Sequence, residues 1–187
     1  MNIKKIFSYL QLYPHYKMNV FSGTNSFGEI RDVLNYRLKN DEYIKQYENI
    51  ISQTINSKYI FTFASGRMGF YTILKAIDIQ KDDEVIIPSF TCVVVPNAIL
   101  YSGAKPIYSD IRDDDFNIDV SKIEQLITPK TKVLYAQHTF GQMCNINAIK
   151  QIAQKYNLIV IEDTAGALGA KLENQYAGTI GDFGYFS

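Results

Sequence analysis

Two carboxylates, Glu162 and Asp163, follow directly on the apolar run Leu158-Ile159-Val160-Ile161. That run has the length and β-branched character of a strand buried on both faces of a parallel sheet. In open α/β sheets ligands sit at the carboxyl ends of the strands, where these two acids stand. An ionised Asp at the mouth of a buried strand costs desolvation unless a cation or a set of donors meets it. A protonated pyridine nitrogen is one cation suited to the place. A strand end that merely caps the next turn is the plain alternative, and the two residues alone leave both open.

A second candidate is Ser65-Gly66-Arg67-Met68-Gly69, between a strand-like and a helix-like segment. Glycines there let the backbone approach an anion, the free N–H groups of a helix start favour phosphate, and Arg67 offers a charged fork. An ordinary tight turn is equally compatible with these residues. No Gly-Lys-Ser/Thr follows, which excludes a Walker loop, and the glycine spacing is one residue short of a dinucleotide fingerprint. His138, in Gln137-His138-Thr139-Phe140-Gly141-Gln142, reads as a hydrogen-bonded structural histidine before it reads as a base. Asp113, Asp114 and Asp115 read as a solvated turn, because no ligand set accompanies them.

The elements that must position these residues alternate. Helical spacing runs over residues 25–57, and the N-terminal segment 1–17 reads as a short amphipathic helix or arm. Tyr59–Phe63 alternates like a strand, and Phe70, Ile73, Leu74 and Ile77 share a helix face. Strands are expected over Glu84–Pro88, Lys105–Asp110, Lys132–His138 and Leu158–Ile161. Helices are expected over Thr91–Tyr101, closed by Gly103, over Asp119–Ile127 and over Ile146–Tyr156. Strand and helix in turn specify an α/β fold with a mostly parallel sheet flanked by helices.

At 187 residues and 47% hydrophobic content the chain can bury a sizeable core. Nineteen basic residues balance nineteen acidic ones, which argues against a nucleic-acid partner. Cys92 and Cys144 have neither metal spacing nor a disulfide framework, as expected of a reducing cytoplasm. No stretch has the length of a membrane span, and the N-terminus lacks a signal-peptide cleavage pattern.

From Tyr59 to Ser187 the ordered motifs resemble the DegT/StrS-type sugar aminotransferases. Ile161-Glu162-Asp163, Ala165, Gly169-Ala170 and Gly181-Asp182-Phe183-Gly184-Tyr185-Phe186-Ser187 match that family's strand end, hairpin and closing motif. Asp83-Glu84-Val85-Ile86-Ile87-Pro88-Ser89-Phe90-Thr91 resembles its Asp-Glu-Val-Ile-x-Pro-x-x-Thr. The stretches 97–106, 110–111 and 116–119 add an architectural likeness. The resemblance implies the large domain of a fold-type I pyridoxal phosphate enzyme over residues 59–187, incomplete and preceded by a helical arm over 1–58. It places the Schiff-base lysine five positions beyond Ser187 and a small C-terminal domain after that, so the chain alone is expected to be inactive. With the sheet left unpaired at 183–187, it is also expected to be poorly stable.

The implied reaction transfers an amino group, usually from glutamate, to a keto group on a nucleotide-linked sugar for surface polysaccharide. The implied assembly is a homodimer. Asp163 is then assigned to the ring nitrogen of pyridoxal 5'-phosphate, and Gly66, Arg67 and Ser187 to its phosphate. Cys92 stands where an aromatic stacks on the ring, and Gly166 where Gln or His lies near the ring hydroxyl. Arg67 replaces a threonine. Two other readings stay open: a sugar dehydratase with histidine in the lysine's place, which only the position beyond Ser187 separates from an aminotransferase, and a non-enzymatic remnant or regulatory module, which those three departures motivate.

Overall fold

The computed structural model describes residues 40–187. Contacts divide the chain into Met1–Ile44 and Lys45–Ser187, and every packing interaction below belongs to Lys45–Ser187. The arm expected over 1–17 and the start of the helical run over 25–57 lie outside the described residues. From Asn40 that run is helix α1 (Asn40–Ile55).

Then follow α2 (Gly66–Ala76), β1 (Glu84–Pro88), α3 (Val94–Ser102), β2 (Lys105–Ser109), β3 (Thr131–Gln137), α4 (Ile146–Tyr156) and β4 (Ile159–Asp163). A hairpin of β5 (Lys171–Leu172) and β6 (Gln175–Tyr176) leads to β7 (Phe183–Tyr185). Five strands form one sheet in the order β2-β1-β3-β4-β7, every pair parallel. That is the arrangement the strand–helix alternation specifies.

Period-two alternation divides the core between the two faces of the sheet. Val85, Ile87, Val133, Tyr135 and Ile161 face α2 and α3, where Phe70, Leu74, Val95 and Ile99 cover them. Ile86, Leu134, Ala136 and Val160 face α4, whose Ile146, Ile149 and Ile152 fall at helical spacing. Both faces are covered by apolar side chains, which explains why β1, β3 and β4 read as apolar runs. Asn145 caps α4, its side chain accepting the Ala148 N–H, and Gly103 ends α3 in the left-handed region at φ 96°.

Three expected elements differ. Tyr59–Phe63 forms no strand. Among the described residues it has no strand neighbour, and the Thr62 N–H and hydroxyl both bond the Glu48 carboxylate instead. Asp119–Ile127 is two 3₁₀ turns (Val120–Lys122 and Glu124–Leu126) rather than one α-helix. Their i→i−3 bonds flank Ile123, which is wholly buried in the core. Helix α3 begins three residues later than expected, because the Thr91 hydroxyl is drawn to Gln137 Oε1 at 2.6 Å.

Candidate functional site

β4 carries Glu162 and Asp163 to its carboxyl end, and the alternation that divides the core also separates them. Ile161 faces α2, so Asp163 does too, while Glu162 shares the face of Val160 and α4. They have opposite surroundings and do different work.

Glu162 is fully buried and accepts four hydrogen bonds. Oε1 takes the N–H groups of Ile180 (2.7 Å) and Gly181 (2.6 Å); Oε2 takes Gly178 N–H (3.0 Å) and His138 Nε2–H (2.8 Å). His138 Nδ1 in turn accepts the Cys144 N–H at 3.2 Å, which places the ring proton on Nε2. Burial alone would push the Glu162 carboxyl up. The bonds from His138 and from the Gly181 and Gly178 N–H groups more than reverse this, and hold it below the usual carboxylate range. The cluster pins the 178–181 loop under the sheet and so sets where β7 begins. His138 is therefore structural, as its residue type and place had led us to expect. Burial pushes the Cys144 thiol up, so it stays protonated and inert.

Asp163 pairs in register with Gln137 on one side and Tyr185 on the other. Its Oδ1 accepts the Ala165 N–H at 2.9 Å and its Oδ2 accepts the Tyr135 hydroxyl. A carboxylate has about four acceptor positions, so both oxygens keep capacity for another donor.

Ser187 and Gly66 meet. A Cβ on Gly66 would lie 2.8 Å from Ser187 Cβ and 3.3 Å from its Oγ, so only glycine lets the chain end approach the start of α2 this closely. Ser65 caps that helix, its hydroxyl accepting the Met68 N–H at 3.3 Å. The Gly66 and Arg67 N–H groups make no hydrogen bond among the described residues, and they stand at the positive end of the helix dipole. The Arg67 side chain is exposed, without an ion-pair partner among the described residues. A cleft of about 910 Å³ runs along the β7 edge and includes Ser65, Gly66 and Ser187 in its wall.

Cys92 is exposed in the turn between β1 and α3. Its neighbour Thr91 is tied to Gln137, which pairs with Asp163, so the turn is anchored beside the carboxylate's strand. Gly166 is exposed, its backbone against that of Phe140. Asp113 to Asp115 form a turn in which Arg112 pairs with Asp114 and Asp115, and no metal-binding group of acids, histidines and cysteines occurs among the described residues.

Residues 22–187 match the DegT/DnrJ/EryC1/StrS aminotransferase family. The chain belongs to this family. It is 39% identical over 145 residues to the GDP-perosamine synthase of Escherichia coli O157:H7, covering 78% of this chain and 40% of that protein. An aminotransferase from Psychrobacter cryohalolentis superposes with a TM-score of 0.80 at 31% identity, over 84% of this chain and 40% of that one. NtdA from Bacillus subtilis, solved with bound cofactor PMP, superposes with a TM-score of 0.71 at 34% identity, over 81% and 37%. The chain thus spans about 40% of the length of the relatives it matches.

The residues of this aminotransferase-family chain fit pyridoxal phosphate. Unspent backbone donors and the Ser187 hydroxyl suit an anion at one end, and Asp163 suits a cation on the same face of the sheet. A phosphate and a protonated ring nitrogen are such a pair. No aromatic face stands at Cys92. Motif reading overlooked Tyr135 and Tyr185, which surround Asp163, and the anchoring role of Glu162. Tyr135 shares the parity of Gln137, but its meeting with Asp163 follows only from the β3–β4 register.

Proposed function

We propose that this protein, in a complete chain of its relatives' length, transfers an amino group from glutamate to a keto group of a nucleotide-linked sugar used in surface polysaccharide. The observation that carries this is the placing of Asp163 and the Gly66–Ser187 contact on one face of one sheet, within a chain of the aminotransferase family. Bound pyridoxal phosphate supplies an electron sink and a carrier for the amino group.

The chain's own residues bind and orient. Asp163 holds a proton on the ring nitrogen, since its anionic form favours a cation opposite it. The Gly66 and Arg67 N–H groups and the Ser187 hydroxyl hold the phosphate, with the Arg67 guanidinium able to add a charged donor in place of the hydroxyl that threonine would supply. The Schiff-base lysine belongs, in this proposal, to sequence beyond Ser187. So does the small domain, and the whole protein acts as a homodimer.

The test is amino transfer from glutamate to a panel of nucleotide-linked keto sugars, with products analysed for the new amino group. Asp163→Asn should lower turnover by roughly 100-fold and Ser187→Ala should weaken cofactor binding by roughly tenfold, the worth of one or two hydrogen bonds to charged groups. Loss of a sugar hydroxyl without gain of nitrogen would replace the transfer reading with dehydration. Undiminished transfer by Asp163→Asn would remove the carboxylate from the mechanism.

A further inference from the structure

Tyr135 is a polar residue on a face built of Val85, Ile87, Val133 and Ile161, and it is 1% exposed. A buried phenol is costly unless its hydroxyl is bonded. Its hydroxyl has two partners, Asp163 Oδ2 and the hydroxyl of Tyr185. Counting protons fixes the direction of both bonds. The Asp163 carboxylate can only accept, so Tyr135 gives its single proton to Asp163. Tyr185 must then donate to the Tyr135 oxygen. Burial pushes both phenols well above their usual range, with the negative Asp163 adding to the effect, so both remain protonated donors.

We propose that Tyr135, backed by Tyr185, is a positioning residue that fixes the Asp163 carboxylate for the ring nitrogen of the cofactor. The inference rests on the cofactor reading above. With Oδ1 on the Ala165 N–H and Oδ2 on Tyr135, the carboxylate cannot rotate without breaking a bond, and its remaining lone pairs keep one direction. Packing holds the tyrosines in turn. The Phe70 ring lies 5.1 Å from that of Tyr135 and is stacked 5.4 Å from that of Tyr185. Phe70 belongs to α2, whose first residue is Gly66, and a Cβ on Gly66 would lie 3.5 Å from the Tyr185 ring. Ser187, two residues after Tyr185, meets the same point, its Cβ lying 2.8 Å from that Gly66 Cβ. The hydroxyl chain therefore links the anion-binding corner to the carboxylate, and keeps their separation constant.

The experiment is a titration of the protein with pyridoxal phosphate, followed by absorbance, for Tyr135→Phe, Asp163→Asn and the double variant. Phenylalanine keeps the ring against which Phe70 packs. Tyr135→Phe should weaken binding roughly tenfold where Asp163 is intact, and less than about twofold in the Asp163→Asn background. Tyr185→Phe, which leaves the Tyr135–Asp163 bond intact, should weaken it by about twofold. Should Tyr135→Phe fail to fold, Tyr185→Phe in the two backgrounds carries the same comparison. Equal losses in both backgrounds would make the tyrosines plain packing and overturn the proposal, as would no loss at all. An Asp163→Asn protein that binds as tightly as its parent would overturn the cofactor reading as well.

Discussion

Glu162 and Asp163 are neighbours whose side chains leave β4 on opposite faces, and their duties divide accordingly. Glu162, with four donors and no exposure, is a structural anion. Glu162→Gln would turn an amide N–H₂ toward backbone N–H groups that now meet an oxygen. It should cost about 3 kcal/mol, the usual penalty for breaking a buried charge cluster, read as a lower urea midpoint at neutral pH. The pH dependence has a definite sign. The carboxyl of Glu162 is held low in the folded chain, so its contribution is present above its unfolded value of about 4.3 and is lost as pH falls through its folded value. Stability measured between pH 6 and pH 3 should therefore fall more steeply for the parent than for Glu162→Gln. Cys92 is a different kind of position, exposed and small. On the proposed cofactor placement, Cys92→Phe would add a ring face and should tighten pyridoxal phosphate binding by roughly three- to tenfold, the worth of an aromatic stack. No gain would mean that the turn points the side chain away from the ring.

Among the elements, β7 depends most on its neighbours, being three residues long and joined to the sheet, among the described residues, through β4 alone. The motif Gly181-Asp182-Phe183-Gly184 has a mechanical explanation. Asp182 clamps the start of β4, its carboxylate accepting the Val160 N–H at 2.8 Å and its own N–H meeting Val160 O at 2.9 Å. Gly184 passes so close to Gly178 that a Cβ would lie 2.2 Å from its carbonyl oxygen. The Gly178 atoms that this Cβ would meet are all backbone, and none can rotate away. Gly184→Ala should lower stability by about 3 kcal/mol, seen as a lower thermal midpoint together with lost protection of the β7 amides. A parent-like midpoint would show that the 178–181 loop can move despite Glu162. The helices were more legible than this strand. The α4 boundaries follow from Asn145 and an apolar face at 3.6-residue spacing, whereas 119–127 and 59–63 had pattern without the partners that make pattern into an element.

On the scale of the whole molecule, the sheet is buried in its middle and, among the described residues, unpaired at its two edges. β1, β3 and β4 have strands on both sides and helices on both faces; β2 and β7 each have one strand neighbour among the described residues. Amide exchange should accordingly be slowest in β1, β3 and β4, and markedly faster in β7 and the β5–β6 hairpin. Uniform protection across the five strands would show that the β7 edge is covered in solution. Among the described residues no helix is long and apolar enough to cross a membrane.

The chain's local chemistry determines a good deal by itself. Apolar runs of strand length, alternating with amphipathic helices, dictate a parallel α/β sheet, since both patterns bury their apolar residues in that one arrangement. The ordered motifs around Ser65, Asp83, His138, Asp163 and Ser187 mark the family and the strand ends where its chemistry gathers. Register and close approach were decided by the tertiary structure. Which acid faces α2, that Tyr135 reaches Asp163, and that Gly66 touches Ser187 all depend on how strands far apart in sequence align. A shift of one residue would exchange the faces of Glu162 and Asp163, and only the packed sheet holds that shift at zero.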